Sequence, residues 1–269
     1  MGEKSTISWT HSTHNEWIGC AHVSPGCERC YAENLMAKRW KRVGWGPGEP
    51  RSLTAEENRR KPHSWNKTAE RDGRPWRVFS ASLSDWLDHE MPAEWLAGLL
   101  DTVAETPALS WLLLTKRIAR WAERLQAVSD LAPGLDDPTP GIVLARAWLG
   151  GEAPQNVWLG TTVEDQRRAD ERVPLLVQIP ARVRFLSCEP LLGPVRLNTE
   201  HLASIHQVIV GGESQPGCRP MDLAWARALC EQVRGAGVRT FVKQLGGHPN
   251  ARHDIDEFPV DLALREVPS

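Results

Sequence analysis

The sequence predicts an α/β protein, a full or partial (β/α) barrel of about six to seven parallel strands, and three observations lead there. Short β-branched or apolar runs alternate with amphipathic helical stretches, the pattern of βα units around a parallel sheet. About seven such units fill 269 residues, a length suited to one large core, so 1–269 is read as a single domain. No dinucleotide fingerprint interrupts them, which favours a barrel over a doubly wound sheet.

In order, a strand at 7–9 leads into a cysteine-rich loop and a helix at 31–42. A strand at 77–82 precedes a helix at 92–105, with Pro92 suited to its first turn. A strand at 111–115 and a helix at 118–128 follow, then a strand at 156–163 with a helix at 164–178. Strands at 182–187 and 207–210, a helix at 223–235 and a strand at 240–244 complete the repeat.

Two segments fall outside it. The insertion after the first helix, 44–76, is rich in glycine, proline and charge and too long for an ordinary βα connection. Residues 38–77 carry twelve Lys and Arg against five Asp and Glu, with Trp40, Trp45, Trp65 and Trp76 interleaved. That suits a phosphate-bearing substrate or a single strand, and equally a solvated surface insertion. The second insertion, 129–154, reads as a loop with a short helix. His253, Asp254, Asp256 and Glu257 are cation-type donors in the tail from His248, where a charged, frayed terminus is the simpler account.

Composition restricts the classes. A formal charge of −2 with 25% charged residues announces neither a nucleic-acid nor a membrane partner, so any partner signal is local. No apolar stretch reaches the roughly 20 residues of a membrane span, and the N-terminal residues lack a signal-peptide core. A cytoplasmic protein with no membrane partner is expected. Thirteen tryptophans against one tyrosine and four phenylalanines suggest stacking surfaces, but core or helix-face positions explain most of them, as at Trp95, Trp121 and Trp225.

Cys20, Cys27 and Cys30, in GCAHVSPGCERCYAE, carry the strongest chemical signal. In a reducing compartment a clustered C-x6-C-x2-C points to metal rather than disulfides, and the turn at Ser24, Pro25 and Gly26 lets the loop fold back. Iron-sulfur and zinc are the two usual occupants. Zinc needs a fourth ligand, for which His22 is the neighbour, whereas a cluster on three cysteines leaves one iron free to bind a small molecule. Cys218 and Cys230 read as spare thiols.

Barrel chemistry gathers at the C-terminal ends of the strands. The residues there are Ser82, Ser84 and Asp85; Lys116 and Arg117; Thr161, Thr162 and Glu164; Cys188 and Glu189; Gly212, Glu213 and Ser214; and Lys243 and Gln244. Turns are polar in any case, but the recurrence of such residues behind apolar strands marks a site.

Seven motifs in order, SWTHSTHNEWIGCAHVSPGCERCYAE, SLSDWLDHEMP, LLLTKR, NVWLGTTVEDQ, FLSCEPLLGPVRL, VIVGGESQPGCRPM and FVKQLGG, give the chain its kinship. It resembles the phage-associated three-cysteine-motif proteins, a family of mostly unassigned activity similar to a divergent branch of the radical S-adenosylmethionine (SAM) enzymes. The resemblance implies a barrel of the radical SAM type, with a four-iron four-sulfur cluster on Cys20, Cys27 and Cys30 and SAM chelated at its unique iron. Reduction would cleave SAM to a 5′-deoxyadenosyl radical that abstracts hydrogen from a nucleotide, nucleoside or nucleic-acid base. An electron donor such as flavodoxin or ferredoxin, and a possible partner protein, come with it.

On the same resemblance Tyr31, Ser82, Ser84, Asp85, Thr161, Glu164, Gly211, Gly212 and Glu213 would contact the cofactor. Arg117, Lys243 and Gln244 would face substrate, and Cys188, Glu189 and Lys116 would act in catalysis. The sequence departs from the family at His11 and His14, where aspartate and tryptophan are more common, at Trp17 and Ile18, and in its longer first cysteine spacing. Two other classes remain: a zinc-stabilised nucleic-acid-binding protein closed by His22, and a metal-dependent hydrolase on Asp85, Glu164, Glu189 and Glu213.

Overall fold

A computed structural model describes residues 5–132, 137–213, 217–246 and 251–268; Ser214 and His248 lie outside the described residues. The chain divides into two compact units, Met1–Val23 with Ala32–Leu159 and Ile179–Arg182, and Ser24–Tyr31 with Gly160–Gln178 and Val183–Ser269. No helix among the described residues is long and apolar enough to cross a membrane.

The chain opens with β1 (Ser12–His14) and β2 (Trp17–Ile18). The strand expected at 7–9 is a turn, with Thr10 N–H donating to Ile7 O at 3.1 Å and Trp9 buried against Phe79, ring centroids 4.7 Å apart. The helix α1 (Tyr31–Glu33) widens into a π-type helix over Asn34–Arg39. The first insertion is more ordered than expected, since β3 (Ser52–Leu53) pairs antiparallel with β2 and α2 (Glu56–Asp72) follows. Glu56 and Glu57 favour the positive N-terminal end of α2, and Gly73 closes it with φ +59°. Its buried face is Pro62, Trp65, Asn66 and Ala69, one sparse helical stripe.

Then come β4 (Trp76–Ser80), α3 (Ala93–Glu105), β5 (Leu109–Thr115), α4 (Trp121–Ser129), α5 (Pro140–Leu149) and β6 (Val157–Thr162). Pro92 stands just before α3 in an extended conformation rather than in its first turn. In the second insertion α5 is the expected short helix, and it packs on α3 and α4. Tryptophans fill this core, with Trp148 stacked on Trp86 at 6.1 Å and edge-on to Trp121 at 5.7 Å.

The second unit continues with α6 (Gln166–Gln178), β7 (Val183–Cys188), α7 (Thr199–Leu202), β8 (Gln207–Gly211), α8 (Leu223–Gly235) and β9 (Arg239–Gln244). The Asp222 carboxylate caps α8 by accepting from Ala224 N–H at 2.8 Å. The described part of the tail, 251–268, is packed rather than frayed. Phe258 and Leu262 are buried, Val242 N–H donates to Leu264 O at 2.9 Å, and the Arg265 guanidinium lies 4.7 Å over the Phe241 ring. His253 is exposed, and the Asp254 carboxylate caps its own short turn by accepting from Asp256 N–H at 3.1 Å.

One seven-stranded sheet has the order β1-β4-β5-β6-β7-β8-β9. The pairs β1/β4, β4/β5, β7/β8 and β8/β9 are parallel. The order runs one way with no reversal, so it is that of consecutive βα units in a partial barrel and not of a doubly wound sheet.

Candidate metal centre

In the first unit Cys20 sits on a clamped loop. Gly19 before it has φ +113°, and a Cβ there would stand 2.8 Å from Arg51 Cδ, so glycine is required both by backbone and by space. Gly19 N–H donates to Leu83 O at 3.1 Å, and Cys20 O accepts from Gly46 N–H at 3.0 Å. Arg51 holds the far side of that loop, donating to Gly46 O at 2.9 Å and to Asp88 Oδ2 at 3.1 and 3.2 Å.

The Cys20 thiol meets Arg117, which lies just past β5. Arg117 Nη1 is 3.3 Å from Cys20 Sγ and 3.0 Å from Asp85 Oδ2, and Nη2 donates to Ala21 O at 2.9 Å. Asp85 also accepts from Thr115 Oγ1 at 2.6 Å, Lys116 N–H at 2.9 Å and Leu87 N–H at 3.0 Å. Burial pushes the Cys20 thiol up to about 12, against the pull of the Arg117 cation. Burial draws Arg117 down, but Asp85, with Cys20 and Asp88 behind it, more than offsets this and leaves it raised.

In the second unit the segment bearing Cys27 and Cys30 is fixed differently. Pro25–Cys27 forms a tight turn, with Cys27 N–H donating to Ser24 O at 2.9 Å and Cys30 N–H to Cys27 O at 3.1 Å. Ser24 Oγ donates to Glu164 Oε1 at 2.5 Å, and Arg172 Nη1 donates to Glu164 Oε2 at 2.8 Å and Thr162 O at 2.9 Å. Gly26 lies so close that an added Cβ would be 2.6 Å from Glu164 Cγ and Oε1. Arg219 Nη2 donates to Pro25 O at 2.9 Å, Nη1 to Glu28 Oε2 at 2.9 Å, and Nε to Glu213 Oε1 at 3.1 Å.

Several expected site residues are therefore committed to these frames. Asp85, Glu164 and Glu213 spend their carboxylates on the cysteine loop and its supports, and Arg117 touches Cys20. Ser82 Oγ accepts from Asn15 Nδ2 at 2.9 Å, and Ser84 is half-buried. Tyr31 is exposed, Thr161 and Cys188 are buried, and Lys116 is half-buried. Burial pushes the Cys188 thiol far up. Gln244 Nε2 donates to Gly212 O at 2.5 Å, next to Gly211, and Lys243 is ion-paired with Glu189 at the ends of β9 and β7. Arg172, Arg219 and the Arg51–Asp88 pair stand outside the residues singled out from the sequence, where Ser24 figures only as part of the turn. Arg219 had a signal, since it directly follows Cys218 in the GCRPM motif.

Among the described residues no disulfide links the cysteines, and no group of three His, Cys, Asp or Glu side chains is gathered in metal-binding geometry. The donor chemistry fits a thiophilic centre: three cysteines within eleven residues, one beside a guanidinium that favours its thiolate. His22 fits less well as a fourth ligand, because its exposed ring turns Nε2 to Glu33 at 2.8 Å.

No curated protein matches the chain, and no solved structure does. A family model described as a protein of unknown function (DUF5131) matches residues 4–260, nearly the whole chain, and to that family the chain belongs.

Proposed function

We propose that this chain is an iron-sulfur enzyme of the radical SAM type, acting on a nucleotide, nucleoside or nucleic-acid base. The observation that carries this reading is the contact of the buried Arg117 guanidinium with Cys20 Sγ at 3.3 Å. A buried cation against a thiol is what a sulfur that must become a thiolate ligand needs. The kinship with the three-cysteine-motif proteins and the consecutive strand order support it further.

Cys20, Cys27 and Cys30 would hold the cluster, which when bound supplies an electron for reductive cleavage of SAM. Arg117 would keep its hydrogen bond to the Cys20 sulfur, and Asp85 would hold Arg117 in place. Glu164 and Arg219 would fix the Cys27 turn. The Glu189–Lys243 pair, half-buried at its strand ends, is the group in the second unit suited to move a proton, at Glu189 Oε1.

The test is anaerobic reconstitution followed by iron, sulfide and zinc analysis and an assay for 5′-deoxyadenosine from SAM with dithionite. About four irons and four sulfides per chain, with cleavage lost in Cys27→Ala, is the expected result. One zinc, no cluster absorbance and no cleavage would overturn it and leave a zinc-stabilised binding protein.

A further inference from the structure

Residues 38–42, Lys-Arg-Trp-Lys-Arg, hold four cations and an aromatic ring, and all five are exposed. Trp40 is 47% exposed, unlike the tryptophans of the core. The strip is nevertheless rigidly backed. Trp40 N–H donates to Leu35 O at 3.0 Å and Arg42 N–H to Met36 O at 2.8 Å, and Met36 is buried beneath. Lys41 between them has φ +48°, a conformation that costs a lysine energy. The turn brings the Arg42 guanidinium over the Trp40 ring at 5.2 Å.

Part of the neighbouring basic stretch is neutralised. Arg59, Arg60 and Arg71 lie within 4 Å of Glu16, Glu56 and Asp72 respectively. In the strip only Lys38 is so placed, 3.3 Å from Glu33. Among the described residues Arg39, Lys41 and Arg42 have no carboxylate partner. Three of the strip's four cations thus stand without a carboxylate beside an exposed tryptophan.

From this we infer that residues 38–42 are a docking strip for single-stranded nucleic acid. One base stacks on Trp40 and adjacent phosphates meet Arg39, Lys41 and Arg42. A duplex hides its base faces from Trp40. A membrane surface would find one aromatic ring among charges, with no aliphatic side chain to bury. The inference deepens the proposed function by naming a polymer as the substrate class, and rests on it only for the link to chemistry.

The test is fluorescence anisotropy on the full chain as purified, with labelled oligothymidylate and oligouridylate of about twelve nucleotides and the matching duplex. The single strands should bind better than the duplex. Trp40→Ala should weaken binding about tenfold. Each of Arg39→Gln, Lys41→Gln and Arg42→Gln should weaken it and flatten the slope of log affinity against log salt by about 0.7. These side chains are exposed, so far-UV circular dichroism and thermal unfolding should match the wild type. No binding by the wild type, full affinity in a variant combining all four substitutions, or binding to phosphatidylserine vesicles in place of oligonucleotides would overturn the inference. Binding without any cluster after reconstitution would uphold it while sinking the proposed enzyme.

Discussion

Cys20 and Cys27 are held by charges of the same kind placed at different depths. At Cys20 the Arg117 guanidinium reaches the sulfur itself, and Asp85 stands behind it. Around Cys27 the charges stop one step short: Arg219 holds the Pro25 carbonyl, and Glu164 holds the Ser24 hydroxyl. A cation on the sulfur changes its electronics, whereas charges on the flanking backbone change only where the sulfur points. The two frames should therefore fail in distinguishable ways.

Removing a sulfur should be the most severe change. Cys20→Ala and Cys27→Ala should each bring iron and sulfide after reconstitution to background, with chemical analysis as the readout. Retained iron in either would mean that the corresponding frame serves only the fold.

Glu164→Ala comes next. It leaves Arg172 buried without its carboxylate and frees Ser24, which should cost about 3–5 kcal/mol. At roughly 2–4 °C per kcal/mol for a chain of this size, differential scanning fluorimetry would show it plainly. Gly26→Ala attacks the same packing from the opposite side, so the two changes together should cost less than their sum.

Arg117→Gln should cost about 1.5–3 kcal/mol, since Asp85 keeps three other donors. Its distinguishing effect is electronic: a cluster that still assembles should have a lower midpoint potential by spectroelectrochemical titration. Arg219→Ala is the counterpart and the mildest, near 1 kcal/mol for a partly exposed pair, with occupancy reduced and the potential unmoved. A shift in potential for Arg219→Ala as large as for Arg117→Gln would erase the distinction between the two frames.

The strands most plainly legible in the sequence are those that bury both faces. The run LSWLLLT of β5 is buried at all but two positions and reads as a strand from hydrophobicity alone. The Ser-Thr-His of β1 contains no aliphatic residue, so periodicity pointed to the more apolar 7–9, while pairing with β4 put the strand five residues later. Helix α2 was hidden because its charged surface and Pro62 outweigh a four-residue buried stripe.

At the site, residue type and position were legible but partners were not. Asp85, Glu164, Glu213 and Arg117 were picked out as strand-end polar groups. Whether a carboxylate faces a ligand or another side chain depends on residues far away in the chain, such as Arg219 for Pro25, and no local pattern records that pairing.

The packed tail beside β9 has a consequence for how copies of the chain meet. β9 ends the strand order, and a bare strand edge invites another molecule to add a strand of its own. Here Val242 and Thr240 are already bonded to Leu264 and Glu266, and Phe241 bridges Arg265. The tail thus acts as a built-in sealing strip, occupying the backbone groups through which another strand would add to that edge.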